Sequence, residues 1–183
     1  MAGDSLLTER LELRRFRDED AAAFHAYRSD PGVARYQSWD ASLSTVDAAA
    51  LVAEFAGLDP RAPGWFQYAV TLRAGGALVG DVGVNLHQNL MQAEIGFTFA
   101  TEHQGRGHAT EAVCRVVDHL LVSQGLCRVS AECDARNTAS ARLLERVGFR
   151  REGYRPQYTW LKGEWTDDLL FGVLAADWVP LPG

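Results

Sequence analysis

The chain has 183 residues, of which 47% are hydrophobic and 23% charged, a composition typical of one soluble globular domain. Its net charge of −6 disfavours a phosphate-backbone partner, so we expect no nucleic-acid ligand. The three cysteines form no C-x-x-C pair, which predicts neither a disulfide framework nor a zinc site. Residues 1–15 lack the apolar segment of a signal peptide, and the longest apolar run, 169–176, is too short to cross a membrane. We therefore expect a cytoplasmic protein without a membrane partner.

The first sixty residues predict one strand and two helices. Apolar and polar residues alternate over 11–17, which indicates a strand. The acidic run 18–20 favours the start of a helix, and the Asp-Pro-Gly sequence at 30–32 ends it. Ser44 is suited to cap a second helix, which we expect to continue to Leu58.

The remainder of the chain predicts further strands and two more helices. The strand patterns cover residues 65–73, 77–86, 94–99, 127–134, 149–160 and 165–174. A helix with one buried stripe follows the third of these strands, with apolar residues at 109, 112, 113, 116, 117, 120 and 121. A shorter helix is predicted over 137–147, with Gly148 placed to end it. The order of elements indicates a single α/β domain with a central mixed sheet.

A glycine loop, residues 104–109, joins the strand at 94–99 to the long helix. A helix start offers free backbone N–H groups and the positive end of the helix dipole. Gly105 and Gly107 have no side chains to block a close approach, and Arg106 adds a cation. This arrangement is suited to a phosphate or pyrophosphate group.

Other readings of the same loop stay open at this point. A dinucleotide-binding fingerprint needs a third glycine, but position 110 is Thr, and the unit lies in the middle of the chain. A nucleoside-triphosphate loop needs a Gly-Lys-Ser/Thr run, which the sequence lacks. The third alternative is a tight turn in which the glycines serve backbone geometry alone.

The order of the motifs resembles the GNAT superfamily of N-acetyltransferases. The matching features are Gln104-x-x-Gly107-x-Ala109 after a strand, and Asn137-x-x-Ser140 at the start of a helix that ends in Val147-Gly148-Phe149. The phrase over 7–14 and Glu94-Ile95-Gly96 are similar to the branch of ribosomal-protein N-terminal acetyltransferases. The resemblance covers about 7–178. It implies a single N-acetyltransferase domain with a mostly antiparallel sheet of about seven strands, about four flanking helices and a splayed acyl-CoA-binding cleft.

The resemblance also assigns cofactor contacts to this chain. It implies that the strand before the loop separates from its neighbour, so that main-chain groups there pair with the pantetheine arm and one N–H faces the thioester carbonyl. The loop would bind the pyrophosphate of coenzyme A. The cofactor-binding residues expected on this basis are Phe97, Thr98, Phe99, Gln104, Gly105, Arg106, Gly107, His108, Ala109, Thr110, Asn137 and Ser140.

Several residues near the second motif carry two interpretations. Asn137 is a helix cap on its position alone, with Ser140 at the third helical position, whereas the resemblance has Asn137 contact pantetheine. The resemblance places the Ser140 hydroxyl near the sulfur, where it would protonate the leaving thiolate. Tyr154 is the alternative acid. Arg142 is either a phosphate ligand or an ordinary exposed helix residue.

A general base is needed because only a neutral amine attacks a thioester. At pH 7, deprotonating a lysine amine costs roughly 4.6 kcal/mol, whereas an α-amine costs roughly 1.1 kcal/mol. Glu94 is the first candidate for the base, since it lies on the strand that would hold the thioester; its alternative is a solvated charge at a strand end. Asp81 and His87 are further candidates.

Aromatic residues and one cysteine complete the candidates. The aromatic residues that could shape an acceptor pocket are Trp39, Trp65, Phe66, Tyr68, Tyr158, Trp160 and Trp165, although most large aromatics are core residues. Cys133 is either an oxidisable thiol near coenzyme A or a small buried residue.

The sequence therefore predicts an acyl-CoA-dependent N-acyltransferase that uses acetyl-CoA and no metal, with direct attack by a primary amine in a ternary complex. No cysteine or serine lies in a recognisable nucleophile motif, which disfavours a covalent acyl-enzyme. The acceptor is a protein N-terminus or a small-molecule amine, and a larger donor such as succinyl-CoA stays open. The alternatives are a non-catalytic acyl-CoA-binding module and a nicotinamide oxidoreductase. A homodimer through the edge near the last strands is also left open.

Overall fold

The computed structural model describes residues 5–179, a range that contains eight strands and five α-helices. The strands are β1 (Leu6–Leu7), β2 (Leu11–Arg14), β3 (Gly64–Leu72), β4 (Leu78–Leu86), β5 (Gln92–Phe99), β6 (Arg128–Asp134), β7 (Arg150–Leu161) and β8 (Glu164–Leu174). The helices are α1 (Ala21–Arg28), α2 (Pro31–Ala34), α3 (Thr45–Gly57), α4 (His108–Asp118) and α5 (Thr138–Val147). None of these helices is long and apolar enough to span a membrane.

The helix boundaries follow from the capping residues that the sequence provides. The Ser44 side chain accepts a hydrogen bond from the Asp47 backbone N–H and begins α3, as predicted. Asn137 caps α5 in the same way through the Ser140 N–H. Gly148 ends α5 with a left-handed backbone (φ 115°). The N-cap of α4 is instead Gly107, with a φ of 82°, and because glycine has no side chain this end of the helix has no side-chain cap.

All eight strands form one sheet in the order β1-β2-β3-β4-β5-β6-β8-β7. Neighbouring strands are antiparallel except β5 and β6, which are parallel and are connected through α4. This βαβ unit divides the sheet into two antiparallel parts. The predicted fold class, a single α/β domain with a mixed, mostly antiparallel sheet, is confirmed.

Two hydrophobic clusters pack on opposite faces of the sheet. The larger joins α4 and α5 to the sheet through side chains such as Val113, Leu144 and Ile95. The smaller lies under α1 and α3 and includes Phe24 and Val52. We call these sides the α4 face and the α1 face. Along each strand, successive side chains point alternately to the α4 face and to the α1 face.

The ladder between β5 and β6 opens part-way along the two strands. Paired residues run only from Gln92 opposite Arg128 to Ile95 opposite Ala131, although β5 continues to Phe99 and β6 to Asp134. The β6-facing edge of residues 96–99 therefore has no strand partner. This is the splay that the family resemblance implied.

The structure adds two elements to the predicted set of about seven strands and four helices. Strand β1 has two residues and pairs with β2, and α2 has four residues. Both are too short to leave a periodic pattern in the sequence. The Asp-Pro-Gly sequence at 30–32 does follow the end of α1 at Arg28, as predicted, and Pro31 in addition begins α2, where a missing N–H costs nothing.

Candidate active site

A cleft of about 580 Å³ opens where β5 and β6 separate. Its walls are the start of α4, the start of α5, the end of β5 and the loop around α2. It is lined by Gly32, Val33, Tyr36, Gln37, Phe97, Thr98, Phe99, His103, Gln104, Gly105, Gly107, His108, Ala109, Thr110, Asn137, Ala139, Ser140, Arg142, Leu143 and Arg146. Of the twelve residues that the sequence assigned to the cofactor, eleven line this cleft, and Arg106 is exposed beside it.

The glycine loop has the backbone geometry that an anion site needs. Gly105 and Gly107 both have positive φ angles, 70° and 82°, which residues with a Cβ adopt only under strain. The first amides of α4 have no acceptor within the helix, and they lie at the positive end of its dipole. The Gln104 side-chain amide donates to the Phe99 carbonyl over 2.9 Å and so ties the loop to β5.

An ion pair between Arg10 and Glu111 lies behind the loop and was not predicted from the sequence; we call it the brace. Arg10 donates through Nε to Glu111 Oε2 over 2.6 Å and through Nη1 to the Arg106 carbonyl over 3.0 Å. The Thr8 hydroxyl and the Arg10 N–H also donate to Glu111. Burial alone would raise the pKa of Glu111, but these hydrogen bonds outweigh it and lower that pKa. Residues 7–14 resemble the family branch in sequence, and the structure shows that Thr8 and Arg10 within them contact Glu111.

The opposite wall of the cleft is the first turn of α5. Ser140 is half-buried there, and its N–H donates to the Asn137 side chain over 3.1 Å, so the capping interpretation of Asn137 holds. Two exposed cations, Arg142 and Arg146, line the same wall. Arg146 donates to the Thr110 hydroxyl over 3.2 Å and thereby links α5 to α4. The sequence did not single out Arg146.

A pair of histidines lies beneath the loop. The His103 and His108 ring centroids are 6.1 Å apart, and each Nδ1 is buried without a hydrogen-bond partner in the part of the chain described. Burial and the nearby Arg10 guanidinium lower the pKa of His108, so this imidazole is neutral at neutral pH. Because this ring is neutral, the positive potential at the loop comes from the start of α4 and from the neighbouring arginines.

Strand β5 is held in place by a close approach from β4. A Cβ on Gly80 would lie 2.9 Å from the Phe99 Cα and would overlap the Thr98 carbonyl oxygen. Glycine at this position therefore lets the end of β5 pack against β4. This packing fixes Phe97, Thr98 and Phe99 along the cleft.

Glu94 lies on β5 but does not line the cleft. It is half-buried on the α1 face, since its neighbours Ala93 and Ile95 pack into the α4 cluster. Burial raises the pKa of Glu94, and the Glu132 carboxylate raises it further, while His87 acts in the opposite direction. Its distance along β5 from Phe97 is three residues, roughly 10 Å at the rise of a β-strand.

The alternative acid and base candidates have other partners. Asp81 is buried and accepts from the Tyr27 hydroxyl at 2.5 Å and from Arg28 Nη2 at 3.0 Å, so it anchors α1 to β4. The Tyr154 hydroxyl donates to Asp167 and does not line the cleft. His87 lies in the turn before β5 and lowers the pKa of Glu94.

The candidate aromatic residues and Cys133 also lie outside the lining. None of the seven aromatic residues named from the sequence borders the cleft, whereas Tyr36 does. Cys133 is half-buried; burial and the carboxylates of Asp134 and Asp168 raise its pKa to about 11. This thiol is therefore protonated at neutral pH, which is the chemistry of a packing residue.

A family model described as "Acetyltransferase (GNAT) domain" matches residues 10–150, most of the chain. The chain belongs to the GNAT acetyltransferase family. The matched range contains the glycine loop, the splayed strands and the start of α5.

Known relatives agree with this assignment. The acetyltransferase is 33% identical over 170 residues to an uncharacterised N-acetyltransferase, YoaA, of Bacillus subtilis, covering 92% of this chain and 96% of that protein. It is 31% identical over 86 residues to the [ribosomal protein uS5]-alanine N-acetyltransferase of Escherichia coli, 47% of this chain and 44% of that one. A crystal structure of a GNAT-family acetyltransferase from Bacillus anthracis matches with a TM-score of 0.86 at 28% identity, covering 94% and 99% of the chains.

The residues of the cleft fit an acyl-CoA co-substrate. The start of α4, with Arg106, Arg142 and Arg146 around it, would supply positive charge for phosphates. The free edge of 96–99 supplies backbone groups for an extended amide chain. Within residues 5–179, no group of three His, Cys, Asp or Glu side chains is arranged to hold a metal ion.

Proposed function

We propose that this chain transfers an acetyl group from acetyl-CoA to a primary amine by direct attack in a ternary complex. The observation that carries the proposal is the open edge of β5 next to the start of α4. The phosphates would bind at the glycine loop, and the pantetheine arm would run along the free edge of 96–99. The thioester would then lie in the gap between the two strands.

Binding of the phosphates is assigned to the amides of the loop and to the cations around it. Arg106, Arg142 and Arg146 are exposed at the cleft or beside it, and their guanidinium groups would bind phosphate oxygens, with Arg146 giving up its hydrogen bond to Thr110. The sequence left open whether Arg142 is an ordinary surface residue; its place on the cleft wall supports a phosphate contact. Gln104 would act indirectly, since its amide already holds the Phe99 carbonyl.

Ser140 is the proposed acid. Its hydroxyl is half-buried on the cleft wall, and only its backbone N–H is used by the Asn137 cap. In the transfer, this hydroxyl would donate a proton to the sulfur as the C–S bond breaks. An N–H of residues 97–99 would stabilise the carbonyl oxygen as negative charge develops on it.

Glu94 is the proposed base, reached from the α1 face. The raised pKa of its carboxyl, caused by burial and by Glu132, brings the group closer to the pKa of an amine. Removal of a proton from an α-amine costs roughly 1.1 kcal/mol at pH 7, against roughly 4.6 kcal/mol for a lysine amine. This difference favours a protein N-terminus or another amine of low pKa as the acceptor.

Calorimetric titration with acetyl-CoA tests the cofactor, with succinyl-CoA and reduced nicotinamide dinucleotide as comparisons. We expect micromolar binding of acetyl-CoA and none of the nicotinamide. Release of free thiol is then measured with N-terminal peptides and with polyamines. Binding without turnover on any amine would point to the non-catalytic module, and no acyl-CoA binding by folded protein would overturn the proposal.

A further inference from the structure

Glu94 lies at the point where the β5–β6 ladder ends. It is opposite Ser130 on β6, and Ile95 opposite Ala131 is the last pair before the strands separate. The next residue of β5 on the same face is Gly96, where an added Cβ would meet no other atom within 4 Å. The α1 face is therefore open directly beside the Glu94 carboxyl.

The first side chain of β6 beyond the end of the ladder on this face is Glu132. Ala131 and Val129 pack into the α4 cluster, so Ser130 and Glu132 point to the α1 face with Glu94. Glu132 is bound by Arg155 of β7, with Nη1 3.1 Å from Oε1. Arg155 belongs to the irregular part of β7, where the register with β8 shifts between Arg155 and Thr159.

Three charged or titratable groups on neighbouring parts of the chain act on Glu94. On the β4 side, Asn85 pairs with Glu94 in the ladder, and His87, in the turn before β5, lowers the pKa of Glu94. On β6 the group is Glu132, and on β7 it is Arg155. Within residues 5–179 Glu94 makes no ion pair or side-chain hydrogen bond, so burial has the largest effect on its pKa and these longer-range charges act next.

We propose that Glu132 and Arg155, an ion pair on the open α1 face beside the end of the β5–β6 ladder, are positioning residues that poise Glu94 to accept a proton from the acceptor amine. The inference rests on the proposed function of Glu94. Neither residue need touch the acceptor. In the step concerned, one N–H bond of the acceptor ammonium breaks, its electron pair stays on nitrogen, and the proton passes to a Glu94 carboxylate oxygen.

The two charges have opposite effects on the same proton. The Glu132 carboxylate disfavours the ionised form of Glu94, whereas the Arg155 guanidinium favours it. Removing Glu132 alone should therefore make Glu94 easier to ionise, and removing Arg155 alone should make it harder. A role of these residues in folding alone would give no such pair of opposed effects.

The test is a titration of the Glu94 carboxyl by ¹³C NMR in the full chain, with the resonance assigned by its loss in Glu94→Gln. We expect Glu132→Gln to move the titration to lower pH and Arg155→Gln to move it to higher pH. Glu152→Gln is the matched control. Glu152 on β7 also forms an ion pair with a β6 residue, Arg128, but it is not one of the charges that act on Glu94. It should leave the titration in place.

The pH dependence of kcat/KM with an N-terminal peptide is the second readout. On the acidic limb of this profile, kcat/KM should rise roughly two- to threefold in Glu132→Gln and fall by a similar factor in Arg155→Gln. This is the effect that a unit charge about 7 Å away has with water-like screening. About 1 M salt should shrink both displacements. Glu132→Asp should restore the wild-type profile.

The outcomes separate this inference from the proposed function. If Glu94→Gln retains full turnover, Glu94 is not the base and the proposed mechanism fails. If Glu94→Gln loses turnover but Glu132→Gln and Arg155→Gln leave the titration unmoved, or move it in one direction, the positioning role alone is overturned. The NMR titration is informative even for a variant without activity.

Discussion

Arg10 and Glu111 form an ion pair behind the glycine loop, with Arg10 Nε 2.6 Å from Glu111 Oε2. Because Arg10 also donates to the Arg106 carbonyl, one side chain fixes both the loop and the first turn of α4. The two residues are about a hundred positions apart in the sequence, so the turn between β1 and β2 stabilises a site formed by the middle of the chain.

The brace predicts weaker cofactor binding when it is removed. Glu111→Gln should raise the Kd for acetyl-CoA by about tenfold, because the loop must then be ordered on binding. Arg150→Met is a control that removes an exposed arginine paired with Asp177, and it should leave the Kd unchanged. Equal affinity of Glu111→Gln and wild type, measured by calorimetry, would contradict the brace.

The same ion pair predicts a pH-dependent stability. The folded-state pKa of Glu111 lies below its ordinary value of 4.5, so its contribution is complete above pH 4.5 and is lost as the pH falls through the folded-state value. The difference in melting temperature between wild type and Glu111→Gln should therefore shrink in acid. A difference that is constant from pH 7 to the acid range would count against this account.

Gly107 is predicted to be essential for the phosphate site. Gly107→Glu would force a residue with a side chain into φ 82° and put a negative charge where the phosphates bind, so acyl-CoA binding should be abolished. Gly163→Ala is the matched control: its φ is 87°, but an added Cβ meets nothing within 4 Å in the β7–β8 turn. It should cost a similar backbone strain of about 1 kcal/mol and leave binding intact.

Ser140→Ala separates a catalytic hydroxyl from a helix-start residue. Because the cap uses the Ser140 N–H and not its side chain, the variant should keep its melting temperature and its Kd for acetyl-CoA. We expect kcat to fall by about 10² to 10⁴, the usual contribution of a positioned acid. Thr138→Ala, on the exposed first turn of α5, is the control; an equal rate loss there would remove Ser140 from the chemistry.

The cysteines predict an order of thiol modification. Cys127 is exposed and should react first with iodoacetamide at pH 8. Cys133, with a pKa raised to about 11, should be labelled slowly until the pH approaches that value. Mass spectrometry of the digested protein gives the order. Rapid labelling of Cys133 at pH 8 would contradict the raised pKa, because it requires a thiolate, which burial and the neighbouring carboxylates disfavour.

The local pattern of the sequence determined the elements and the cofactor loop. The strand before residue 100, the glycines at 105 and 107 and the amphipathic helix after them are consecutive, so their geometry follows from backbone and periodicity rules. The same holds for the caps at Ser44 and Asn137, each of which needs only the next three residues. The family resemblance then supplied the splay, which no local rule contains.

Only the tertiary structure decided which distant side chains meet at the site. Strand order and register determine three ion pairs: Arg10 with Glu111, Glu132 with Arg155, and Arg28 with Asp81. A one-residue shift of register would move each strand residue to the other face of the sheet. For this reason the sequence identified Glu94 as a candidate base, while its burial and neighbouring charges, which govern its pKa, emerged only from the assembled sheet.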